Sequence, residues 1–470
     1  YNYDEKYLFE FNIRHDGTSK FRRNNMWKTF PSFSLGWNIA HENFWKPLEN
    51  TVNTLKLRAS YGSLGNQNID NWYQTYSTVA YNSVAGAWLQ GGKKTNITAA
   101  PGLVSAALGW EKVESYDVGL DWGAFNNRLT GSFDYYVRNT KDMVGPAPEL
   151  PALLGTAVPK TNNTDLRTTG WELQIGWRDH LENGLNYGVT FNVSDAQAKV
   201  TRYPNNPTGS LSSYIENRKV GEIWGYETIG IAKTNDEMNQ HLATLPNGGQ
   251  SQLGDKWAAG DIMYKDLDGD GKISNGSNTL SDHGDLKVIG NNTPRYLFGL
   301  DLTASWKGFD FRAFMQGVMK RDYNVNGSWG AREYLFGATD SGVWWAAGIT
   351  GVQDYFRDSE TWSVKNGYES ENLNAYLPRP QYSEKNIHTQ TRYLLNAAYL
   401  RMKNLQIGYT LPQSLVSKAG LGNVRFFVSA ENLFTITDLP SQFDPETIDT
   451  AYGNGYPLSR TFSFGVNVTL

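Results

Sequence analysis

The sequence predicts an all-β fold, a transmembrane antiparallel β-barrel, and three observations carry that expectation. Long stretches alternate apolar and polar residues with a period of two, as Glu114 to Arg138 does (ESYDVGLDWGAFNNRLTGSFDYYVR). The connections between such stretches alternate between short turns and very long loops, as in outer-membrane barrels. Aromatics are abundant and charges sparse: 16 Trp, 27 Tyr and 21 Phe, with 19% charged residues, in 470 residues. A soluble sandwich would show the same alternation with its apolar face turned inward. It rarely carries loops of this length.

In chain order, Lys6 to Asp16, Thr29 to Ala40 and Thr54 to Tyr61 are the first expected strands. Asn66 to Pro101, polar and Gly-rich with Trp72, Tyr73 and Trp88, reads as a long loop with room for one strand. In the hairpin that follows, Tyr116, Val118, Leu120 and Trp122 share one face, opposite Asp117, Gly119 and Asp121. A tight turn at Phe125-Asn126-Asn127 leads into Leu129, Gly131, Phe133, Tyr135 and Val137, which continue the apolar face. Asn139 to Thr168 reads as a second long loop. Gly170 to Arg178 and Leu185 to Ser194 form the next hairpin, followed by a loop to Val220 and the strand-like EIWGYETIGIA. Arg295 to Trp306 and Phe309 to Met319 pair across Lys307-Gly308, and Lys320 to Thr389 reads as long, aromatic and irregular. Tyr399 to Leu411, Val424 to Glu431 and Thr461 to Leu470 close the chain.

Composition excludes several classes. With no Cys there is no disulfide framework, thiolate metal site or Cys nucleophile. A net charge of -4 leaves no basic excess for nucleic acid. No apolar run approaches the roughly 18 residues of a membrane-spanning helix, a criterion silent on barrels. The six His are scattered without metal spacing, and neither a nucleophile elbow nor HExxH occurs, so catalysis is not expected.

Three sets of residues remain as candidate sites. Asp266-Leu267-Asp268-Gly269-Asp270-Gly271-Lys272 matches the start of a calcium loop, with carboxylates at 266, 268 and 270 and the Lys272 carbonyl as ligands. The bidentate Glu due at the twelfth position is replaced by Ser277, and Asp282 or Asp285 would close the site around a structural Ca2+. An Asx-rich turn without metal is the competing reading. Trp72, Trp88, Trp224, Tyr226, Trp329, Trp344 and Trp345 stand in loops, where an aromatic face would stack on a sugar ring; packing of loop on loop is the alternative. Asp117, Asp121, Asp134, Arg138, Arg312 and Gln316, on the second face of the strands, would line the lumen, most of them solvated.

Read as an ordered set, the motifs resemble the barrel of SusC/RagA-type TonB-dependent outer-membrane transporters of the Bacteroidota. KYLFEFNIRHDGTSKF with FPSFSLGWNI, LKLRASYGSLGNQNI, GWEKVESYDVGLDWGAFNNRLTGSFDYYVRNTKDMV and LPALLGTAVPKTNNTDLRTTGWEL come first. GEIWGYET, DLDGDGKIS, GDLKVIGNNTPRYLFGLDL, YLRMKNLQIGYTLP, NVRFFVSAENLFTITD, FDPE and YPLSRTFSFGVNVTL follow, covering nearly the whole chain. The resemblance implies a barrel of about 22 strands, of which about 14 are countable here. It also implies that residues 1–470 are the C-terminal part of the barrel, with plug domain, TonB box and signal peptide outside this chain. A SusD-like surface lipoprotein would lid the mouth, TonB would act through the absent N-terminal part, and an oligosaccharide would be the cargo. The expected location is the bacterial outer membrane, in contact with its lipid. Such transporters usually end in an aromatic residue, whereas Leu470 ends this chain. With strands missing, open edges would stop these residues from inserting alone as a closed transporter. Two rivals are a passive outer-membrane porin and a soluble carbohydrate-binding β-protein.

Overall fold

A computed structural model describes residues 1–470 except 68, 70–71, 80, 83–85, 87, 99–100, 148–157, 326–353, 382 and 450–455. Its largest sheet has 14 strands, matching the number expected. They are Asn2–Tyr3 (β1), Tyr7–Gly17 (β2), Trp27–Asn38 (β3), Val52–Asn66 (β4), Glu111–Ala124 (β5), Leu129–Gly145 (β6) and Thr161–His180 (β7). Then come Asn186–Arg202 (β8), Arg295–Trp306 (β9), Phe309–Lys320 (β10), Tyr399–Thr410 (β11), Asn423–Glu431 (β12), Thr435–Thr437 (β13) and Thr461–Thr469 (β14). Neighbours in sequence are neighbours in the sheet from β1 to β12, then β14 pairs with β12 and the short β13 pairs with β11. The long strands lie where the period of two puts them, but two of them run further. β6 extends on to Gly145 and β7 back to Thr161, into the expected loop Asn139 to Thr168, through polar residues that show no alternation.

Short turns are made by residues that tolerate left-handed backbone. Phe125, Asn126 and Asn127 all have positive φ (54°, 58° and 60°), and the Asn53 amide donates to Asn127 Oδ1 at 2.6 Å. Lys307 and Gly308, with φ of 47° and 89°, form the two-residue turn of a tight hairpin.

The chain divides into two compact units. The first holds Tyr1–Leu173, Ala196–Gly209 and Ser213–Lys219. On its strands the apolar residues are the exposed ones: Phe9, Phe11, Ile13, Leu35, Leu57, Tyr116, Tyr135 and Val118, the last 53% accessible. They also face one another across the register, with Phe9 opposite Leu35, Phe11 opposite Phe33 and Ala59 opposite Val118. A soluble sheet would bury these rows; exposing them forfeits roughly 25 cal/mol per Å² unless something apolar covers them. Along β3 the row runs from Trp27 to Trp37, which at about 3.3 Å per residue and a tilt of about 45° rises roughly 23 Å, close to the apolar band of a membrane barrel. Trp37 and Trp122 stand near the short-turn ends, as interfacial anchors do. A small core of Phe21, Phe30, Leu108 and Trp110 closes the other end.

The second unit holds Gln174–Asp195, Ser210–Ser212 and Val220–Leu470. Its strands repeat the inversion: Ile175, Val189, Phe311, Ile407, Phe426, Val428, Phe464 and Val466 are exposed. Its long connections depart from expectation. Instead of irregular loops, the described residues of these connections form a packed module with a core of Tyr226, Ile262, Tyr264, Ile273, Leu377, Ile387, Tyr393 and Phe443. Small sheets brace it: Glu222–Gly225 pairs with Lys287–Asn291, Thr228–Ile231 with Ile262–Tyr264, and Asp322–Asn324 with Leu394–Asn396. One helix, Asn235–Ala243, is capped by Thr234, whose hydroxyl accepts from the Glu237 amide at 3.1 Å. Ile262, Met263 and Tyr264 are all buried, so this strand has no polar face to betray it by alternation.

A buried carboxylate ties that module together. Asp261 is fully buried and accepts from Arg379 (2.9 and 2.8 Å), Gln381 (3.0 Å), Asn386 (3.0 Å) and the Ala258 amide (2.8 Å), with Lys385 Nζ at 2.9 Å. Burial works against both charges of the Asp261–Lys385 pair. At Asp261 the donors outweigh it and hold the carboxyl below its ordinary range. At Lys385 burial outweighs the single carboxylate and pulls the ammonium down.

No helix among the described residues is long and apolar enough to cross a membrane. Crossing by strands is untouched by that fact.

Candidate functional site

Opposite the exposed apolar rows, the strands carry polar side chains bridged across three strands at a time. On the first unit, Arg58 of β4 faces Gly119 of β5, which faces Asp134 of β6. The guanidinium binds Asp121 through two bonds of 2.8 Å and reaches Asp134 at 2.9 Å. A Cβ on Gly119 would lie 2.2 Å from Asp134 Oδ1 and 2.8 Å from the guanidinium carbon. The central strand has no side chain there because the bridge passes over it. The second unit repeats the device: Arg425 of β12 binds Asp310 of β10 at 2.9 and 2.5 Å over Gly408 of β11. Arg312 pairs with Asp301 at 3.1 and 2.8 Å.

These pairs are partly solvated and each adds only about 0–1 kcal/mol. Their effect is to fix a wet, polar surface on one side of the sheet. Gly119→Val is expected to break the Arg58 bridges and destabilise by about 1–3 kcal/mol, read as a lower unfolding temperature, whereas Gly102→Val, in open space, should change little. Of the residues expected on this face, Asp121, Asp134 and Arg312 are bridge members. Arg138 lies over the Tyr136 ring at 5.7 Å. Asp117 faces Tyr136, and Gln316 faces Arg401.

The acidic loop is organised by its own amides. Asp266 accepts from the amides of Gly269 (2.6 Å) and Gly271 (3.0 Å), both glycines at φ near +77°. Asp285, fully buried, accepts from Leu267 (2.6 Å) and Ser274 (2.7 Å), which carries it from downstream into the loop. Oxygens of Asp266, Asp268 and Asp285 lie within 4.8 Å of one another. Burial raises the Asp285 carboxyl, the two amides lower it, and neighbouring Asp268 and Asp266 raise it further. Asp270 turns instead to Lys272, accepting from its amide at 3.0 Å and pairing with its ammonium at 3.1 Å. Asp282 accepts from the Ser277 amide (2.9 Å) and hydroxyl (2.5 Å). Three carboxylates with no ammonium among them form a donor set suited to a hard divalent cation.

The loop aromatics fall into different surroundings. Trp72 is 72% exposed, with Lys20 Nζ 4.4 Å from its ring centre, and Trp88 is also exposed. Tyr226 is 5% exposed and packs edge-on against Tyr264, so no ring face is open to a sugar. Trp224 is half-buried against the same core, its ring 5.5 Å from that of His283. Trp329, Trp344 and Trp345 lie outside the described residues. Residue patterns gave no sign of the Asp261 cluster, although an acid beside the apolar triplet Ile262-Met263-Tyr264 is the signal to look for.

Residues 1–433 match the family model described as TonB dependent receptor-like, beta-barrel. TonB-dependent receptor P3 of Formosa agariphila is 32% identical over 493 residues, covering 100% of this chain and 44% of the relative. TonB-dependent receptor SusC of Bacteroides thetaiotaomicron is 26% identical over 490 residues, covering 100% and 42%. Among solved structures, the RagAB peptide transporter aligns with a TM-score of 0.69 at 23% identity, over 100% of this chain and 46% of that one. The chain thus spans less than half the length of the relatives it matches.

Proposed function

Because the chain belongs to the TonB dependent receptor-like β-barrel family, we propose that it is barrel wall of a TonB-coupled, SusC-like outer-membrane importer of oligosaccharides. The observation that carries this reading is the family match over residues 1–433. The inverted faces support it: apolar rows suit lipid, and the bridged polar rows suit a water-filled path. In this reading a SusD-like lipoprotein lids the long-loop end, and TonB acts through a plug formed by further residues of the whole protein. Trp72 and Trp88 are the exposed rings available for sugar contact, while Tyr226 belongs to the core and Trp224 lies against it.

Cells making the whole protein should take up a labelled oligosaccharide, and deleting TonB should abolish that uptake. Uptake that persists without TonB would establish the passive porin instead. A protein that stays dispersed in buffer without detergent would establish the soluble binding protein.

We further propose that Asp266, Asp268 and Asp285 hold a structural Ca2+ that stiffens the loop. Saturating Ca2+ should raise the melting temperature relative to chelator by several degrees, a gain of roughly 2–3 kcal/mol at about 100 times Kd. Asp285→Asn should remove the Ca2+ dependence. Equal melting with and without Ca2+ would refute the site.

A further inference from the structure

We propose that residues 439–449 form a fixed strap that narrows the polar path at the long-loop end and limits the width of cargo it admits. The proposal rests on the importer reading above and names what sets its size limit.

The face on which the strap lies follows from the register. Arg401 of β11 stands opposite Gln316 of β10 and Thr435 of β13, so the three side chains share a face. Gln316 is four residues from Arg312 on an unbroken strand, which places it on the polar face that the Arg312–Asp301 pair bridges. The Arg401 guanidinium donates to Thr435 Oγ1 at 2.7 Å and pairs with Asp444 at 2.9 Å and Glu446 at 3.1 Å. Both carboxylates belong to the segment after β13. That segment therefore folds back over the polar face, opposite exposed Phe311 and Ile407. Arg401 lies where β11 begins and β10 ends, at the side of their long connection.

The strap is held along its length. Lys403 Nζ binds Glu446 at 3.0 Å, and Arg321, just past β10, pairs with Asp449. Asp444 also accepts from the amides of Glu446 at 2.9 Å and Leu458 at 3.1 Å, closing the segment on itself. Leu439, Phe443 and Ile448 are buried in the core of the loop module, with the Phe443 ring 5.8 Å from that of Tyr323. Arg401 itself is 4% exposed. Buried ion pairs add little over apolar packing but hold a segment in one place. A flap that swings would have to expose those three apolar side chains at each stroke, so the strap is fixed.

A layer laid on a sheet stands about 10 Å from it, so a strap on this wall takes roughly that much from the width of the path. A linear oligosaccharide threads the remainder. A branched one of the same mass presents a wider cross-section and is held back.

The test uses cells making the whole protein, supplied with labelled linear and branched hexose oligosaccharides of equal mass. The unaltered protein should favour the linear ones. Arg401→Ala strands two carboxylates and frees the strap, and should raise branched uptake relative to linear several-fold. Ser441→Trp adds bulk at an exposed strap position and should lower that ratio several-fold. Glu446→Gln weakens the hold of Lys403 and Arg401 and should shift the ratio in the same direction as Arg401→Ala, which keeps the test decisive if the latter fails to insert. A ratio unchanged in these variants, with linear and branched uptake falling in parallel, would show that the segment only packs and would overturn the size limit while sparing the importer reading. If the unaltered protein imports neither kind, both fall.

Discussion

Asp261→Ala is expected to destabilise the loop module of the second unit by about 3–5 kcal/mol, because it strands Lys385 and Arg379 without their buried counter-charge. The loss should be local. Amides in Thr228–Ile231, Ile262–Tyr264 and around Ile387 should lose hydrogen-exchange protection, while β9 and β10 keep theirs. Asp261→Asn keeps the shape but not the charge and should be nearly as harmful, since five donors that now meet a carboxylate would face a neutral amide. The same residue sets an acid limit. Its carboxyl titrates below the ordinary 3.8 in the folded state, so its contribution is complete above that value and is lost as pH falls through the lower folded value. Protection of the module at pH 5 should therefore match that at pH 7, and should decline only below about pH 4. An Asp261→Ala protein with undiminished protection would show that the cluster is incidental.

The second large effect concerns the direction the strands face. Val118→Arg, in the middle of an exposed apolar row, is expected to cost about 2–4 kcal/mol of barrel stability in a bilayer. Ser60→Arg, on the opposite face between Ser34 and Asp117, should cost far less. If Val118 faced water instead of lipid, an arginine there would be harmless and the ranking would vanish. Refolding into lipid vesicles with a denaturant titration of each variant measures both numbers.

Strand positions were legible because one face of each is apolar and the other polar, as in Tyr116 to Trp122. Their full lengths were not. β7 begins at Thr161, well before the expected Gly170, because TNNTDLRTT is polar at every position except Leu166 and has no alternation to read. β6 likewise runs on to Gly145 through Asn139-Thr140-Lys141-Asp142. The packed module was missed for the opposite reason: Ile262-Met263-Tyr264 is buried throughout and shows no alternation, so nothing marked it as the partner of Thr228–Ile231, which lies in the strand-like EIWGYETIGIA. In the acidic loop, spacing grouped Asp266, Asp268 and Asp270 with Asp282 or Asp285 from downstream, and the structure gathers Asp266, Asp268 and Asp285. Spacing could not show that Lys272 holds Asp270 and that Ser277 holds Asp282, since those are local hydrogen bonds decided by loop geometry. The aromatic residues were legible as loop residues but not as buried or exposed: Tyr226 and Trp72 look alike in sequence and differ completely in accessibility.

Residues 1–470 contain no Cys, so once any Cys elsewhere in the whole protein is replaced, single-Cys variants make the facing of the strands directly measurable. Val118→Cys and Leu35→Cys, labelled with a fluorophore in the membrane-inserted whole protein, should be quenched by brominated lipid acyl chains and resist a charged, water-soluble maleimide. Ser34→Cys and Ser60→Cys should react with that maleimide and escape the lipid quencher. Quenching on the serine face, or water-soluble labelling of Val118→Cys and Leu35→Cys without any lipid quenching, would contradict an outward-facing apolar surface and with it the barrel in the outer membrane.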